Sequence, residues 1–247
     1  MKINIVSRDK RYLLVKELLC QKGYEARICY SNEVDSCDVL LLSVRAELND
    51  DELKEALSRI DKETVVLCGN DERIDRLFSG KIINYAVIDN FVLKNAYLTA
   101  EATVSFLHST LNEGVAGKRI FVSGYGKIGK ELARILKSLG AKVGVFARRK
   151  EVREAICKDG VIPLSLEECV SYDIIINTVP SVIYSSELID KIPQSATIVE
   201  LASHPYGFEK LDRVIFASGL PGKILSKSAS FVVFDTVCDI LSKMEKE

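Results

Sequence analysis

The stretch VSGYGKIGKEL, residues 122–132, gives the strongest indication of the fold of this chain. Its glycines Gly124, Gly126 and Gly129 follow the spacing G-x-G-x-x-G, between an apolar strand-like run and a run with helical periodicity. In such a turn the first glycine permits a tight bend, the second lets a ligand reach the backbone, and the third lets the helix pack on the strand. The amides that open the helix attract phosphate. The stretch therefore predicts a dinucleotide-binding turn, with a purely structural glycine turn as the alternative.

The segments on both sides of this turn alternate between strand-like and helix-like runs, which is the pattern of parallel βαβ units. Residues 1–92 predict one doubly wound parallel-sheet domain, to which we assign substrate binding and catalysis. Residues 93–225 predict a second, a Rossmann dinucleotide-binding domain that opens with a bridging helix, with Thr99 as its predicted N-cap and Gly114 as its end. Residues 226–247 predict a long C-terminal helix that returns to the first domain. The predicted fold class is α/β.

The end of the strand that follows the glycine turn distinguishes NAD from NADP. A carboxylate at this place binds the ribose hydroxyls of NAD, whereas an arginine accommodates the 2′-phosphate of NADP. The sequence here is FARRK, with Ala147 at the acidic place and Arg148 and Arg149 directly after it. These residues favour NADP and leave NAD open. The alternative interpretation is a solvated start of the next helix.

Three further loops follow strands of the second predicted domain, at the sheet edge where open α/β sheets bind ligands. They are NTVPS (177–181), LASHP (201–205) and SGLPGK (218–223). Together with the glycine turn and the FARRK segment they supply the predicted cofactor-binding residues, which are Gly124, Tyr125, Gly126, Lys127, Ile128, Gly129, Ala147, Arg148, Arg149, Thr178, Val179, Pro180, Leu201 and Gly219.

The composition argues against several classes of function. Thirty-four Lys and Arg against thirty-five Asp and Glu leave a formal net charge of -1, without the basic excess of proteins that bind nucleic acid or anionic membranes. The seven cysteines are scattered without a C-x-x-C pair, so we expect no metal site and no disulfide framework, but reduced thiols that pack as small core hydrophobes. Because the chain shows neither a signal pattern nor an apolar run of about 20 residues, we expect a cytoplasmic protein.

From Asn95 to about Ile240 the chain resembles the dipicolinate synthase A family, the dehydrogenase-like component of that enzyme. The pieces that carry the resemblance are NAYLTAEAT, GYGKIGKELARILKSLGAKVGVFARR, DIIINTVPSVI, IVELAS and GLPGKILSKSA. More distantly, the layout is similar to that of formate and D-2-hydroxyacid dehydrogenases. The resemblance implies oxidation of a dihydrodipicolinate-type cyclic dicarboxylate to dipicolinate in sporulation, with hydride passed to NADP. It also implies a partner, namely a flavoprotein-like second subunit.

The resemblance also implies roles for individual residues. Glu101 could accept a proton or orient the substrate, although an acid near a helix start also complements the helix dipole. His204 departs from the family pattern, but as one of only two histidines, placed after a predicted strand, it could shuttle a proton near neutral pH. Glu101 and His204 are therefore the catalytic candidates. The substrate-binding candidates, taken by position in the family or as cations for the two carboxylates, are Arg11, Asn95, Thr99, Ser203, Lys223 and Ser228.

Two departures from the family pattern lie beside the expected substrate. The family has a Gly-Gly-Asp-x-Arg turn near its amino terminus, where this chain has SRDKR and keeps only Asp9 and Arg11. The family also has a basic residue followed by Pro-Gly-Gly, where this chain has HPYG from His204 to Gly207. The alternatives are thus a related NAD(P)-dependent dehydrogenase of another small carboxylate, or a non-catalytic nucleotide-binding subunit of a flavoprotein complex. We also expect a homo-oligomer, such as a dimer.

Overall fold

A computed structural model describes residues 1–45 and 47–246, and the chain divides into two units. Unit 1 consists of Met1–Asn95 together with the chain from Leu225 onward, and unit 2 consists of Ala96–Ile224. Each unit contains one β-sheet, and the strand pairs in both sheets are parallel.

Unit 1 has a five-stranded sheet in the order β2-β1-β3-β4-β5, which is the flavodoxin-like version of the doubly wound fold. Its strands are β1 (Lys2–Val6), β2 (Glu25–Ile28), β3 (Val39–Leu42), β4 (Val65–Cys68) and β5 (Ile82–Asn84). Its first helices are α1 (Arg11–Gln21), α2 (Asp50–Ser58) and α3 (Glu72–Leu77), with short 3-10 turns at Ser31–Glu33 and Tyr85–Val87.

Local sequence explains these elements well. All four residues of β3 and of β4 are buried, as expected for central strands of a parallel sheet covered on both faces. Helix α2 begins with a capping box, in which the Glu52 amide donates to the Asn49 side chain at 2.9 Å and the Asn49 amide donates to the Glu52 carboxylate at 3.0 Å.

The bridging helix α4 (Asp89–Leu111) begins earlier than the sequence predicts. Thr99 is not its N-cap but an interior residue, 8% exposed, and its carbonyl accepts a hydrogen bond from the Thr103 hydroxyl at 2.7 Å. The prediction was wrong because a threonine hydroxyl suits a helix start and also suits a helix interior where it bonds back to a carbonyl. The boundary between the units, after Asn95, falls within this helix.

Unit 2 has a six-stranded sheet in the order β11-β10-β9-β6-β7-β8. Its strands are β6 (Arg119–Ser123), β7 (Lys142–Phe146), β8 (Ile162–Leu164), β9 (Ile174–Asn177), β10 (Thr197–Glu200) and β11 (Val214–Phe216). Its helices are α5 (Lys127–Ser138), α6 (Lys150–Lys158), α7 (Ser186–Lys191) and α8 (Leu220–Ile224), with a 3-10 turn at Glu167–Ser171. The strand order reverses between β6 and β9, which is the Rossmann switch point, and the predicted fold class is confirmed.

The C-terminal helix α9 (Ser226–Met244) packs against α1 within unit 1. The Ser230 hydroxyl donates to the Arg11 carbonyl at 3.0 Å and to the Ser226 carbonyl at 2.8 Å. The side chains of Val233, Val237 and Leu241 are fully buried at i, i+4 and i+8. This apolar stripe explains why the last helix returns to the first unit.

The cysteines divide between core and surface, and all seven are free. Cys29, Cys68, Cys169 and Cys238 are buried, as expected for small core hydrophobes, and Cys37 is half-buried. Burial raises the pKa of Cys68 to about 11 and that of Cys169 to about 12. Cys20 and Cys157 are exposed, so the expectation of core packing does not hold for them. No helix among the described residues has the length and apolarity to cross a membrane.

Candidate functional site

The glycine turn between β6 and α5 contains two glycines that the fold itself requires. Gly124 has a φ of +93°, and a Cβ atom there would lie 2.7 Å from Thr178 Oγ1 and 2.8 Å from Val179 Cγ2. A Cβ atom at Gly129 would lie 2.2 Å from the Gly124 carbonyl oxygen. The start of α5 therefore lies directly against the turn, with no room for a side chain at either position.

Gly126 differs from these two glycines, because a Cβ atom there would meet no other atom of the described residues within 4 Å. It is the N-cap residue of α5, and its carbonyl accepts the first helical hydrogen bond, from the Lys130 amide at 2.9 Å. Lys127 and Ile128 follow as the first helical residues. Packing within the protein does not demand a glycine here, whereas a ligand that approaches the backbone does.

A cavity of about 280 Å³ opens beside this turn at the carboxyl ends of the strands. Seven predicted cofactor-binding residues line it, and the remaining lining residues are Phe146, Val152 and Ile183. The seven are Gly124, Tyr125, Gly126, Ala147, Arg148, Arg149 and Val179. The structure thus brings together the glycine turn, the end of β7 and the loop after β9, at a position where Rossmann domains bind dinucleotides.

Arg148 and Arg149 provide the positive charge of this cavity. Both side chains are exposed, and among the described residues neither guanidinium group makes a hydrogen bond or an ion pair. The Arg148 backbone is held by Arg153, whose Nη1 donates to the Arg148 carbonyl at 3.0 Å. Ala147, at the place where an NAD-specific site has a carboxylate, is 7% exposed. The described part of the cavity lining therefore presents two guanidinium groups and no acidic residue.

Tyr125 in the glycine turn is held by residues that sequence reasoning missed. Its hydroxyl donates to Asp159 Oδ2 at 2.7 Å, and Lys130 pairs with the same carboxylate at 3.0 Å. Burial and the Asp159 carboxylate raise the pKa of Tyr125. Tyr125 and Asp159 lie 34 positions apart, at the start of α5 and the end of α6, so no local signal could have paired them.

The loop after β9 packs on the glycine turn. Thr178 donates to the Ser123 carbonyl twice, from its amide at 3.0 Å and from its hydroxyl at 2.7 Å. Ser123 in turn hydrogen-bonds the buried Tyr184 hydroxyl. Thr178 and Val179 are half-buried, and Pro180 is exposed. The predicted residue Thr178 thus hydrogen-bonds the end of β6, and of the predicted residues in this loop Val179 lines the cavity.

Glu200 at the end of β10 is the most buried carboxylate in unit 2 among the described residues, with no exposed surface. Its two oxygens accept hydrogen bonds from the Asn177 side chain and from the backbone amides of Ala202 and Gly207. Burial raises the pKa of Glu200, although these hydrogen bonds oppose the increase. Sequence reasoning missed Glu200. The signal for it is that one apolar strand ends in a carboxylate and the preceding apolar strand ends in an asparagine.

The loop after β10 carries two of the candidate residues, Ser203 and His204, which are both exposed. The His204–Pro205 peptide bond is cis. The His204 ring meets the Tyr206 ring edge-on at 5.5 Å, and Tyr206 meets Phe216 at 4.8 Å. Leu201, predicted to contact the cofactor, is 8% exposed and does not line the cavity described above.

The segment SGLPGK is not the open loop that the sequence predicts. Residues Leu220–Ile224 form the short helix α8, with Lys223 exposed on it and Pro221 in its first turn. The prediction was wrong because proline is compatible with the first turn of a helix as well as with a loop. Gly219 precedes this helix with a φ of +70° and, among the described residues, does not line the cavity.

The remaining candidates lie on helices. Arg11, at the start of α1, is 7% exposed and pairs with Asp9. Asn95 is half-buried in the part of α4 that belongs to unit 1. Glu101 is exposed at mid-helix in unit 2, so its expected position in a first helical turn is wrong. Ser228 is exposed in the first turn of α9 in unit 1.

The first turn of unit 1, after β1, is closed by side chains. The Ser7 hydroxyl and the Arg8 amide both donate to Glu47 Oε2, at 3.1 and 2.9 Å. Asp9 accepts from the Arg11 amide at 2.9 Å and from its guanidinium at 2.8 and 2.5 Å. Burial alone would raise the pKa of Asp9, but the hydrogen bonds from Arg11 outweigh it and the pKa is lowered.

Comparison with known proteins agrees with this geometry. Residues 88–202 match the family model of the D-isomer specific 2-hydroxyacid dehydrogenase, NAD binding domain. Dipicolinate synthase A from Bacillus subtilis is 27% identical over 177 residues, which are 68% of this chain and 60% of that protein. The chain thus spans less than two thirds of that relative.

Two solved structures share the fold. Dipicolinate synthase A from Bacillus halodurans superposes with a TM-score of 0.83 at 20% identity and covers 97% of both chains. D-lactate dehydrogenase from Escherichia coli superposes with a TM-score of 0.67 at 15% identity, over 100% of this chain and 97% of that one. Residues 88–202 thus resemble the NAD-binding domain of D-isomer specific 2-hydroxyacid dehydrogenases, and the resemblance of the chain to dipicolinate synthase A is confirmed.

Proposed function

We propose that the protein is an NADP-dependent oxidoreductase that acts on a small dicarboxylate. The observation that carries this proposal is the cavity of about 280 Å³, in which the glycine turn lies beside two guanidinium groups that are unpaired among the described residues. A dinucleotide supplies a diphosphate for the turn, and NADP supplies a further phosphate for the arginines.

The residues of unit 2 fit such a cofactor. The start of α5, with the open backbone at Gly126, would hold the diphosphate, and Arg148 and Arg149 would hold the 2′-phosphate. Val179 would contact the nucleoside as part of the cavity wall. When bound, the cofactor supplies the acceptor for a hydride.

For the substrate we propose a dihydrodipicolinate-type cyclic dicarboxylate, because the chain resembles dipicolinate synthase A. Oxidation to dipicolinate removes a hydride, which NADP accepts, and a proton, which a base or water accepts. Glu101 and His204 are the candidate bases, and the exposed Lys223 is the candidate cation for a carboxylate. A role in sporulation and a flavoprotein-like partner belong to the same proposal.

A titration of the purified chain with NADP and NAD by calorimetry tests the cofactor assignment. We expect NADP to bind about tenfold or more tightly than NAD, and the variant Arg148→Asp to lose that preference, because one charge-assisted hydrogen bond is worth about 1.5–3 kcal/mol. Arg134→Asp is the matched control, since Arg134 lies on α5 and contacts Glu131 and Tyr97. Equal losses for both cofactors in Arg148→Asp would contradict the NADP assignment.

The substrate is tested by the absorbance of reduced nicotinamide with dihydrodipicolinate, with and without the flavoprotein-like partner. A second candidate, a dehydrogenase of another small carboxylate, is favoured by the match of residues 88–202 to the 2-hydroxyacid dehydrogenase domain. Reduction of the cofactor by 2-hydroxyacids and not by dihydrodipicolinate would select this second candidate. Binding of NADP without turnover of either substrate class would support a nucleotide-binding subunit instead.

A further inference from the structure

The buried carboxylate of Glu200 has no part in the chemistry proposed above, yet its hydrogen bonding is complete. Oε1 accepts from Asn177 Nδ2 at 2.8 Å and from the Ala202 amide at 2.8 Å. Oε2 accepts from Asn177 Nδ2 at 3.0 Å and from the Gly207 amide at 2.7 Å. A buried carboxylate is unfavourable unless it is satisfied in this way, so the arrangement calls for an explanation.

The two backbone donors lie at opposite ends of one segment, residues 202–207, which we call the clamped loop. Ser203, His204 and Tyr206 lie between them, so the Glu200 carboxylate closes the loop and fixes the backbone that carries these side chains. We call the hydrogen bonds of Glu200 to Asn177, Ala202 and Gly207 the clamp. The clamp is closely packed, because a Cβ atom at Gly207 would lie 2.3 Å from Asn177 Nδ2.

Asn177 connects the clamp to the cofactor cavity. Its Oδ1 accepts from the Val179 amide at 3.1 Å, and its Nδ2 donates to the Val179 carbonyl at 2.9 Å. Val179 lines the cavity beside the glycine turn. Direct contacts therefore run from the cavity wall at Val179 through Asn177 and Glu200 to the clamped loop.

We propose that Glu200 is a positioning residue that, through Asn177, couples occupancy of the cofactor cavity to the geometry of the clamped loop. The inference rests on the proposed function in one respect, namely that NADP is the occupant. The clamp requires a group with two acceptor oxygens, because each oxygen faces a backbone N–H donor. A glutamine in this place turns its NH₂ group toward one of those donors and breaks one end of the clamp.

Hydrogen–deuterium exchange of the full chain, with and without NADP, tests the proposal. The variant is Glu200→Gln, and the matched control is Glu187→Gln, which neutralises an exposed carboxylate on α7 in the same unit. In wild type we expect NADP to slow exchange of the Ala202 and Gly207 amides. In Glu200→Gln we expect these amides to exchange roughly tenfold faster without NADP, and the effect of NADP on them to disappear.

A second variant keeps the test decisive if Glu200→Gln does not fold. Gly207→Ala leaves the carboxylate in place and pushes the loop away from Asn177, so we expect the same exchange pattern with retained NADP binding. Exchange at Ala202 and Gly207 that matches wild type in the folded variants would overturn the proposal, as would an undiminished response to NADP. If wild type binds neither NADP nor NAD, the proposed function fails, and the coupling fails with it. Faster exchange of the Ala202 and Gly207 amides in nucleotide-free Glu200→Gln would still show that Glu200 holds the clamped loop.

Discussion

Both sheets are parallel, but the turns after their first strands differ. Side chains bond the turn in unit 1, whereas the turn in unit 2 is open at Gly126 in the described part of the chain. In unit 1 the Ser7 hydroxyl and the Arg8 amide already donate to Glu47, and Asp9 takes the donors of Arg11. In unit 2 the turn is made of glycines, and the space beside Gly126 is open among the described residues. A parallel sheet alone therefore does not make a dinucleotide site, which also requires open space beside the backbone of the turn.

The difference also separates two roles of glycine within unit 2. Gly124 and Gly129 are glycines because neighbouring protein atoms occupy the space of a side chain, while at Gly126 no described residue occupies that space. Substitutions at these positions should thus separate damage to the fold from damage to the ligand site.

Gly129→Ala should have the largest effect. Its Cβ atom would lie 2.2 Å from the Gly124 carbonyl oxygen, a backbone atom that moves only if α5 shifts from the turn. We expect a loss of about 1–3 kcal/mol in the free energy of unfolding and no measurable NADP binding. Urea unfolding and calorimetry measure the two effects. The control is Gly114→Ala, where a Cβ atom meets no atom of the described residues within 4 Å. Equal behaviour of both variants would show that the contact at Gly129 does not matter for the fold.

Gly126→Ala should weaken binding and spare the fold. Since its Cβ atom meets no described protein atom within 4 Å, we expect the free energy of unfolding to change by less than about 0.5 kcal/mol. The affinity for NADP should fall about 10- to 100-fold, as for the loss of one charge-assisted hydrogen bond. Thermal unfolding with increasing NADP gives both quantities. An affinity equal to that of wild type would show that the ligand does not approach this turn.

Asp9→Asn should have the smallest effect on the cofactor site, because its effect should be confined to unit 1. At pH 7 we expect a loss of about 1–2 kcal/mol in the free energy of unfolding, because the partly buried pair with Arg11 is removed. The lowered pKa of Asp9 means that this stability is present above its ordinary value of 3.8 and is lost as the pH falls through the lower folded value. The difference between wild type and variant should therefore shrink below pH 3.8.

Urea unfolding at a series of pH values measures this dependence. Asp61→Asn, which changes an exposed carboxylate of unit 1, is the control. A difference between Asp9→Asn and wild type that stays constant from neutral to acid pH would contradict the assignment. NADP affinity should be the same in both variants.

Much of the fold could be predicted from the sequence, because its signals are local. The alternating apolar runs predicted the strands and helices, and the spacing of Gly124, Gly126 and Gly129 predicted the turn. The bridging helix was misplaced at Thr99, since one threonine supports a cap and an interior position equally well. The same ambiguity at Pro221 hid helix α8.

The sequence by itself determined the two α/β domains and the dinucleotide turn, since strand and helix periods and glycine conformations depend on neighbours along the chain. Which side chains pair with one another depends instead on contacts between distant parts of the chain. The hydrogen bonds of Glu47 to the first turn of unit 1, of Asp159 to Tyr125, and of Glu200 to Asn177 join residues 39, 34 and 23 positions apart. Asn177 and Glu200 meet because their neighbouring strands end at one sheet edge, whereas no local pattern connects the residues of the other two pairs.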